Sequence, residues 1–410
     1  MRKLTVNPSE DAVISDLLLA LQLRAANEPL LPRLKCFKCE GATEAFIPLI
    51  PLLLSPQTVW IKVIFAKGSP AVTIASMIAR LPVLCPDLTR ITLDHPPRDP
   101  LITKAVSEML LACNRDALQW FRVDSSLTEE ARQVAYQLPR LSELWTIIQE
   151  RTLLPVVTLP NLNAVDIEYD DFDWLQGFRG AAFEKLASAT FSFKSDQIGD
   201  FLEEFKSVAL TGSTSTTLLA LRVLTPRPWN PNYRSLLSFT HLICLIIEFS
   251  CDNGCSSRVD DNVVMDIARA MPMLEILGLG GSPCGAPTGV TIKGLITLAR
   301  GCCRLSQLRI HFQINSLAYV ASRRIVPPPP DKAATVRRQD CDLTELFAGQ
   351  IYIPDGGELE VAMALFQIFP HLLNIEYVRE GWEKVARYIG LFRHIGTIVR
   401  HTGEECPPYL

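Results

Sequence analysis

The chain has 410 residues, of which 48% are hydrophobic and 20% charged, so it is a globular protein with ample material for a buried core. Its formal net charge is −4 and its lysines and arginines are scattered, which argues against broad nucleic-acid binding. No apolar run reaches the roughly 18 residues of a membrane span, and no signal-peptide pattern opens the chain, so no membrane association is expected.

One leucine pattern recurs through nearly the whole chain, with starts about 21 to 38 residues apart, which overlaps the spacing of leucine-rich repeats. Leu4-Thr-Val6 resembles the tail of a truncated first unit, and thirteen L-x-x-L-x-L-like segments follow. Their first apolar positions are Leu34, Trp60, Leu88, Leu118, Leu141, Leu162, Leu186, Leu218, Leu242, Leu274, Leu305, Leu343 and Leu372. The weakest matches are those at Trp60, Leu186 and Leu343.

Amphipathic helical patterns lie between these segments. Their start signals are Ser69-Pro70, Thr128-Glu-Glu, Ser195-Asp196 and Asp260-Asp261, which supply a side-chain oxygen or an acidic first turn to the helix N–H groups. Stacked strand–helix units of this kind form a solenoid with a parallel sheet on its concave side and helices outside. The sequence therefore predicts an α/β fold, a leucine-rich-repeat horseshoe formed by one irregular domain over residues 1–410.

Two features interrupt or end the repeats. Residues 325–340 contain four successive prolines among basic residues, and proline has no N–H group for a ladder or a helix. The segment is predicted to be an extended loop, either a solvated insertion or a basic arm that contacts an acidic partner. Residues 380–405 predict a closing helix.

No motif for catalysis, a metal or a cofactor is present, and no enzyme activity is expected. Cys36 and Cys39 have zinc-compatible spacing, but no second ligand pair accompanies them, so packed thiols are favoured. The twelve cysteines are irregularly spaced in apolar segments, as in a reducing compartment, which indicates a cytoplasmic or nuclear protein. GLGGSPCG, residues 278–285, lacks the glycine order of a nucleotide loop. We expect Gly278 to leave bare backbone on the concave face instead.

The residues between core positions point to the concave face because side chains alternate along a strand. The central position of each unit gives Lys38, Ile64, Thr92, Arg122, Trp145, Asp166, Thr190, Arg222, Ile246, Gly278, Arg309, Phe347 and Glu376. Tryptophan, arginine and phenylalanine dominate binding energies at protein interfaces. The predicted partner-binding residues are Trp120, Arg122, Trp145, Arg222, Arg309, His311 and Phe347. Two alternatives are that loops or a terminal helix cover this face, or that a one-residue register error buries the tryptophans.

The repeats, and above all the run CDLTELFAGQIYIPDGGELEVAMALFQIFPHLLNIEYVREGWEKV over Cys341–Val385, resemble the leucine-rich-repeat portion of fungal F-box proteins. This resemblance covers essentially the whole chain. It implies a substrate-recruiting adaptor of an SCF-type ubiquitin ligase, in which an F-box binds a Skp-type linker subunit and the repeats hold a protein substrate. Nothing before Leu34 has the Leu-Pro-x-Glu-like signature of an F-box. A Skp-type partner is therefore expected only if an F-box lies upstream, and the alternative is a scaffold without a ligase role.

Overall fold

The computed structural model describes residues 3–8, 30–148, 161–169, 185–193, 202–203, 205–206, 217–225, 233–249, 259–280, 289–314, 341–349, 351–354, 356–377 and 380–402. These residues divide into two compact units. The first lies within Met1–Lys194 and Ser207–Thr217, and the second within Ser195–Lys206 and Leu218–Leu410. Each unit is described by itself.

The first unit contains eight described strands: β1 Lys3–Val6, β2 Cys36–Ala42, β3 Trp60–Phe65, β4 Arg90–Asp94, β5 Trp120–Ser126, β6 Glu143–Ile148, β7 Ala164–Tyr169 and β8 Ser188–Phe193. Its described α-helices are α1 Ile50–Leu53, α2 Ala71–Leu84, α3 Pro100–Ala112 and α4 Glu129–Tyr136, and a 3-10 helix over Ile47–Leu49 precedes α1. Consecutive strands of this unit, from β1 to β8, pair in parallel.

The second unit contains six described strands: β9 Ala220–Thr225, β10 Cys244–Phe249, β11 Ile276–Leu279, β12 Gln307–Ile310, β13 Glu345–Gly349 and β14 Asn374–Tyr377. Its described α-helices are α5 Asp261–Ala270, α6 Ile292–Gly301, α7 Glu358–Ile368 and α8 Trp382–Thr402, and a 3-10 helix spans Tyr233–Ser238. Its strands also pair in parallel and in chain order. The predicted fold class, an α/β repeat solenoid with a parallel sheet, is confirmed.

The repeat leucines form the core of both units. All twelve leucines predicted as first apolar positions are at most 1% exposed: Leu34, Leu88, Leu118, Leu141, Leu162, Leu186, Leu218, Leu242, Leu274, Leu305, Leu343 and Leu372. In strands such as β3 and β8, every second side chain also enters this core, and the side chains between them are half-buried. Within each compact unit, stacking of the strand–helix repeats buries apolar faces that no single repeat covers alone.

The repeat that contains β3 does not have the predicted alignment. Trp60 pairs in register with Cys36 and points out of the core, whereas Thr58 takes the place of the repeat leucine and is fully buried. The Thr58 hydroxyl donates to the Leu34 carbonyl at 3.0 Å, so a polar side chain is satisfied in an apolar position. The prediction for Trp60 as the first apolar position was wrong by two residues. Lys62, not Ile64, is therefore the residue in register with Lys38.

Helix starts agree with the sequence at two of the four predicted sites. The Asp260 carboxylate accepts from the N–H groups of Asn262 and Val263, and the Thr128 hydroxyl accepts from Ala131. Ser69 does not cap α2, because its hydroxyl donates to the carbonyl of Ala42 in the preceding repeat. The signal at Ser195-Asp196 lies outside the described residues.

The C-terminal helix α8 ends at Thr402, within the predicted 380–405. Trp382 anchors its start, because the ring is fully buried and its Nε1–H donates to the Ile351 carbonyl at 2.8 Å. The proline-rich segment 325–340 lies outside the described residues. Within the part of the chain that the structure describes, no helix has both the length and the apolar character needed to cross a membrane.

Candidate protein-binding face

Strand side chains that do not enter the core point to the opposite side of the sheet, which we call the open face. In the first unit, parallel register aligns these side chains into rows across the strands. One row runs Trp60, Arg90, Trp120 and Glu143, and the next runs Lys62, Thr92, Arg122 and Trp145. We call five of these side chains the tryptophan–arginine patch: Trp60, Arg90, Trp120, Arg122 and Trp145.

Arg122 is the most constrained cation of this patch. Its guanidinium carbon lies 3.1 Å from the centroid of the Trp145 ring on the next strand, and its Nε donates to Asp94 at 3.0 Å on the preceding strand. Stacking and a charge-assisted hydrogen bond together fix the side chain in one orientation. The Arg122 side chain keeps 35% of its surface exposed, so a fixed cation and a fixed aromatic ring are both presented to solvent.

Asp94 is the buried carboxylate beneath this arrangement. Its side chain is 8% exposed and lies between Arg122, at 3.0 Å, and Lys62, at 3.6 Å from the Lys62 Nζ. A carboxylate withdrawn from water needs such partners, because burying an unpaired charge is costly. Asp94 therefore ties three neighbouring strands together on the open face.

Like Arg122, Arg90 lies beside an aromatic ring. Unlike Arg122, it has no carboxylate partner among the described residues. Its guanidinium carbon lies 5.5 Å from the centroid of Trp120, and its backbone is in register with Trp60 on the other side. The side chain is exposed. Among the described residues, no ion pair includes Arg90.

Glu143 closes the row beside Trp120. Partial burial raises the pKa of the Glu143 carboxyl, and the positive charges of Arg90 and Arg122 lower it by a smaller amount. Trp120 separates Glu143 from Arg90 in the row. The carboxylate therefore acts on the two arginines through space, without a direct ion pair between described atoms.

The loop after β4 borders the patch at the carboxyl ends of the strands. His95 has a φ of 61°, in the left-handed region, and its backbone N–H donates to Asp124 at 3.0 Å. Three residues later, Arg98 donates to Glu168 on β7 at 2.7 Å, across β5 and β6. The loop thus covers two acidic side chains of the open face with its own polar groups.

In the second unit, Glu248 is the centre of an ion-pair network that we call the Glu248 network. Arg222 donates to it at 3.1 Å from β9, and Arg309 donates to it at 3.4 Å from β12. The Arg309 guanidinium also lies 5.8 Å from the Phe347 ring centroid. His311 follows β12 and is half-buried.

Gly278 is not the bare concave backbone that the sequence predicts. It is buried, and a Cβ at this position would lie 3.3 Å from Cγ2 of Ile246 on the neighbouring strand. The ion pair between Glu248 on β10 and Arg309 on β12 spans β11, where Gly278 lies in register with Arg309. Neighbouring side chains cover the glycine, so the prediction of bare backbone at this position was wrong.

The structure thus assembles the predicted residues into two groups. Trp120, Arg122 and Trp145 lie together in the first unit. In the second, Arg222 and Arg309 pair with Glu248, and Phe347 lies beside Arg309. Trp60, Arg90 and Asp94 were missed. Aligning the units on Thr58 in place of Trp60, and reading the residue two places before each central position, would have found the first two. No local pattern marks Asp94, because its partners lie on neighbouring strands.

The cysteine positions agree with packed thiols. Cys39 is fully buried in the core, and Cys36 is half-buried on the same strand. Burial raises the pKa of the Cys39 thiol to about 12, and the neighbouring Glu40 carboxylate adds to the shift. In the described residues, no group of three or more histidine, cysteine, aspartate and glutamate side chains is arranged to hold a metal ion.

No family model matches the sequence, and a search of curated proteins gives no significant match. The interpretation of the open face therefore depends on its own geometry and chemistry.

Proposed function

We propose that the chain is a protein-binding module whose partner contacts the tryptophan–arginine patch of the first unit. The observation that carries this proposal is the fixed position of Arg122 between Asp94 and the Trp145 ring on a partly exposed sheet face. Interfaces concentrate their binding energy in tryptophan and arginine side chains that are ordered before binding. A parallel sheet that holds three tryptophans and two arginines outside the core has this composition.

The proposal is tested by comparing the proteins that co-purify with the full chain and with the double variant Trp120→Ala/Trp145→Ala. A matched control is Val72→Ala/Val83→Ala, because both valines are exposed on helix α2, at 68% and 83%. Partners retained by the control and lost by the tryptophan variant, with both variants folded by thermal unfolding, are the expected result. A folded tryptophan variant that keeps every partner would contradict the proposal.

We further propose, from the sequence resemblance, that the partner is a protein substrate recruited to an SCF-type ubiquitin ligase. The run Cys341–Val385 carries this resemblance. The alternative is a scaffold of the same fold without a ligase role. The two differ in what happens to the partner: an adaptor shortens its lifetime, whereas a scaffold leaves it unchanged.

Partner half-life after translation is stopped, compared between cells with and without the gene, separates these two roles. Co-precipitation of a Skp-type subunit with the endogenous protein is the companion measurement. A longer partner half-life in the deletion strain and a co-precipitated Skp-type subunit support the adaptor. An unchanged half-life without the subunit supports the scaffold.

A further inference from the structure

We propose that the tryptophan–arginine patch recognises an acidic segment of its protein partner, with one carboxylate on Arg90 and apolar side chains on Trp60 and Trp120. The inference rests on the proposed function, because it names the chemistry of the partner at the same site. It follows from the distribution of charge over the open face of the first unit.

Three basic side chains on or beside the patch are matched by carboxylates of the chain. Lys38 pairs with Glu40, Lys62 with Asp94, and Arg122 with Asp94. These pairs neutralise one another, so they contribute little net attraction to an incoming anion.

The acidic side chains at the carboxyl ends of the strands are matched as well. Asp124 receives the backbone N–H of His95, and Glu168 receives the Arg98 guanidinium. The loop over residues 95–98 therefore shields the part of the open face that would otherwise repel an acidic partner. What remains accessible is the row of Trp60, Arg90 and Trp120.

Arg90 is positioned but makes no direct ion pair in the described part of the chain, and Glu143 attracts it only through space. Its 5.5 Å separation from the Trp120 centroid allows a cation–π contact, which orients a guanidinium while leaving its N–H donors for a hydrogen-bond acceptor. A carboxylate accepts two of these donors in a planar, bidentate arrangement. The side chain is exposed, so a partner reaches it without any rearrangement of the chain.

A carboxylate suits this site better than a phosphate group. Of the two guanidinium groups in the patch, only that of Arg90 has no carboxylate partner among the described residues, so one negative charge balances it. Phosphate monoesters carry nearly two negative charges at neutral pH. Glu143 stands in the same row, so the second negative charge of a phosphate would add to the repulsion.

The spacing of the row sets the partner's pattern. Adjacent strands lie about 4.8 Å apart, so Trp60 and Trp120 are separated by roughly 10 Å across β4. An extended peptide covers roughly 10 Å in three residues, since each residue advances it by about 3.3 Å. The expected ligand is therefore an aspartate or glutamate with apolar residues within two positions on either side.

Selection from a phage-displayed library of random dodecapeptides on the immobilised full chain tests the proposal. Three proteins are compared: the natural chain, Arg90→Glu, and Arg80→Glu as a control, because Arg80 is exposed on helix α2 away from the sheet. The natural chain and Arg80→Glu are expected to enrich acidic residues flanked by apolar ones. Arg90→Glu is expected to enrich lysine or arginine at the same place, which a merely structural role of Arg90 would not produce.

Synthetic versions of an enriched peptide then test the anion. Replacing its acidic residue by glutamine should weaken binding about tenfold, the effect of losing one charge-assisted hydrogen bond. Phosphoserine at that position should bind no better than glutamate. Tighter binding of the phosphoserine peptide would overturn the assignment of a carboxylate.

The remaining outcomes separate this inference from the proposed function. Enriched peptides without an acidic preference, or the same preference in Arg90→Glu, would overturn the inference. If such peptides still lost binding in Trp120→Ala/Trp145→Ala, the proposed function would stand. Peptides that bind this variant as well as the natural chain, or no enrichment on the natural chain, would count against both.

Discussion

Arg309 on β12 donates to Glu248 on β10 at 3.4 Å, although β11 lies between the two strands. Side chains of neighbouring strands normally meet directly, so a contact across an intervening strand needs an unobstructed path. Gly278, in register with Arg309, provides that path because it has no side chain. Gly278, which the sequence predicts as bare backbone on the surface, instead permits an ion pair within the chain.

Valine at position 278 is expected to destabilise the protein. Its Cβ would lie 3.3 Å from Ile246 Cγ2, and its methyl groups would obstruct the contact between Arg309 and Glu248. Overpacking of this kind costs about 1–3 kcal/mol in the free energy of unfolding. Urea denaturation of Gly278→Val measures it.

The control for this prediction is Gly390→Ala in helix α8, where an added Cβ meets no atom within 4 Å. Alanine is a better helix former than glycine by about 1 kcal/mol, so this variant should be neutral or more stable. Equal stabilities of Gly278→Val and the natural chain would show that the path over β11 is not restricted.

Asp94→Asn should destabilise the first unit by about 1–3 kcal/mol, because it leaves Lys62 and Arg122 facing each other without the carboxylate that neutralises both. Glu108→Gln removes an exposed partner of Lys104 at 3.9 Å and should change stability by less than about 0.5 kcal/mol. Chemical denaturation of both variants provides the comparison. A loss no larger than that of Glu108→Gln would mean that Asp94 does not hold the patch together.

Thr58→Val should lower the free energy of unfolding by about 1–2 kcal/mol. This loss is expected although the variant places an apolar residue where other repeats have leucine. The buried Thr58 oxygen accepts from the Ser55 N–H at 3.2 Å, and valine leaves that donor unsatisfied. Thr297→Val, at a hydroxyl that bonds only within helix α6 in the described contacts, serves as the control. Thermal unfolding that ranks Thr58→Val as stable as the control would refute this role of the hydroxyl.

The stability of the protein should fall in alkaline solution through Cys39. Its pKa is raised from 9.0 to about 12 in the folded chain, mainly by burial, so the folded state favours the neutral thiol. This contribution is fully present below about pH 9 and is lost as the pH rises toward 12, because the unfolded thiol ionises first. The slope reaches about −1.4 kcal/mol per pH unit for one such group.

The free energies of unfolding at pH 8 and pH 10.5, measured for the natural chain and for Cys39→Ala, check this. The variant should lose less stability between the two values. Cys36→Ala, at the half-buried position on the same strand, is the matched control. Identical losses for the natural chain and Cys39→Ala would exclude Cys39 as the source.

The fold could be predicted from the sequence because each unit repeats a short local pattern. Twelve leucines of that pattern are buried as expected, and the parallel strands follow them. The misaligned repeat contains Thr58. Because threonine is polar, the leucine pattern does not mark it as a core position. Hydrogen bonds to the Leu34 carbonyl, 24 residues away, and from the Ser55 N–H make this threonine acceptable in the core.

The candidate site was predicted in part. Trp120, Arg122 and Trp145 were found because alternation along a strand is a local property. The contacts that fix side chains on the open faces join different strands: Asp94 to Arg122, Arg90 to Trp120, and Arg309 to Glu248. Such contacts depend on register between strands, which no segment of sequence specifies by itself.

The most direct test of the proposed binding face is site-specific photo-crosslinking in living cells. A benzophenone amino acid replaces Glu143, beside Trp120 on the open face, in one variant and Val83, 83% exposed on helix α2, in the other. We predict a discrete crosslinked partner from position 143 and none from position 83. Crosslinks from position 83 alone, or the same partner from both positions, would contradict binding at the tryptophan–arginine patch.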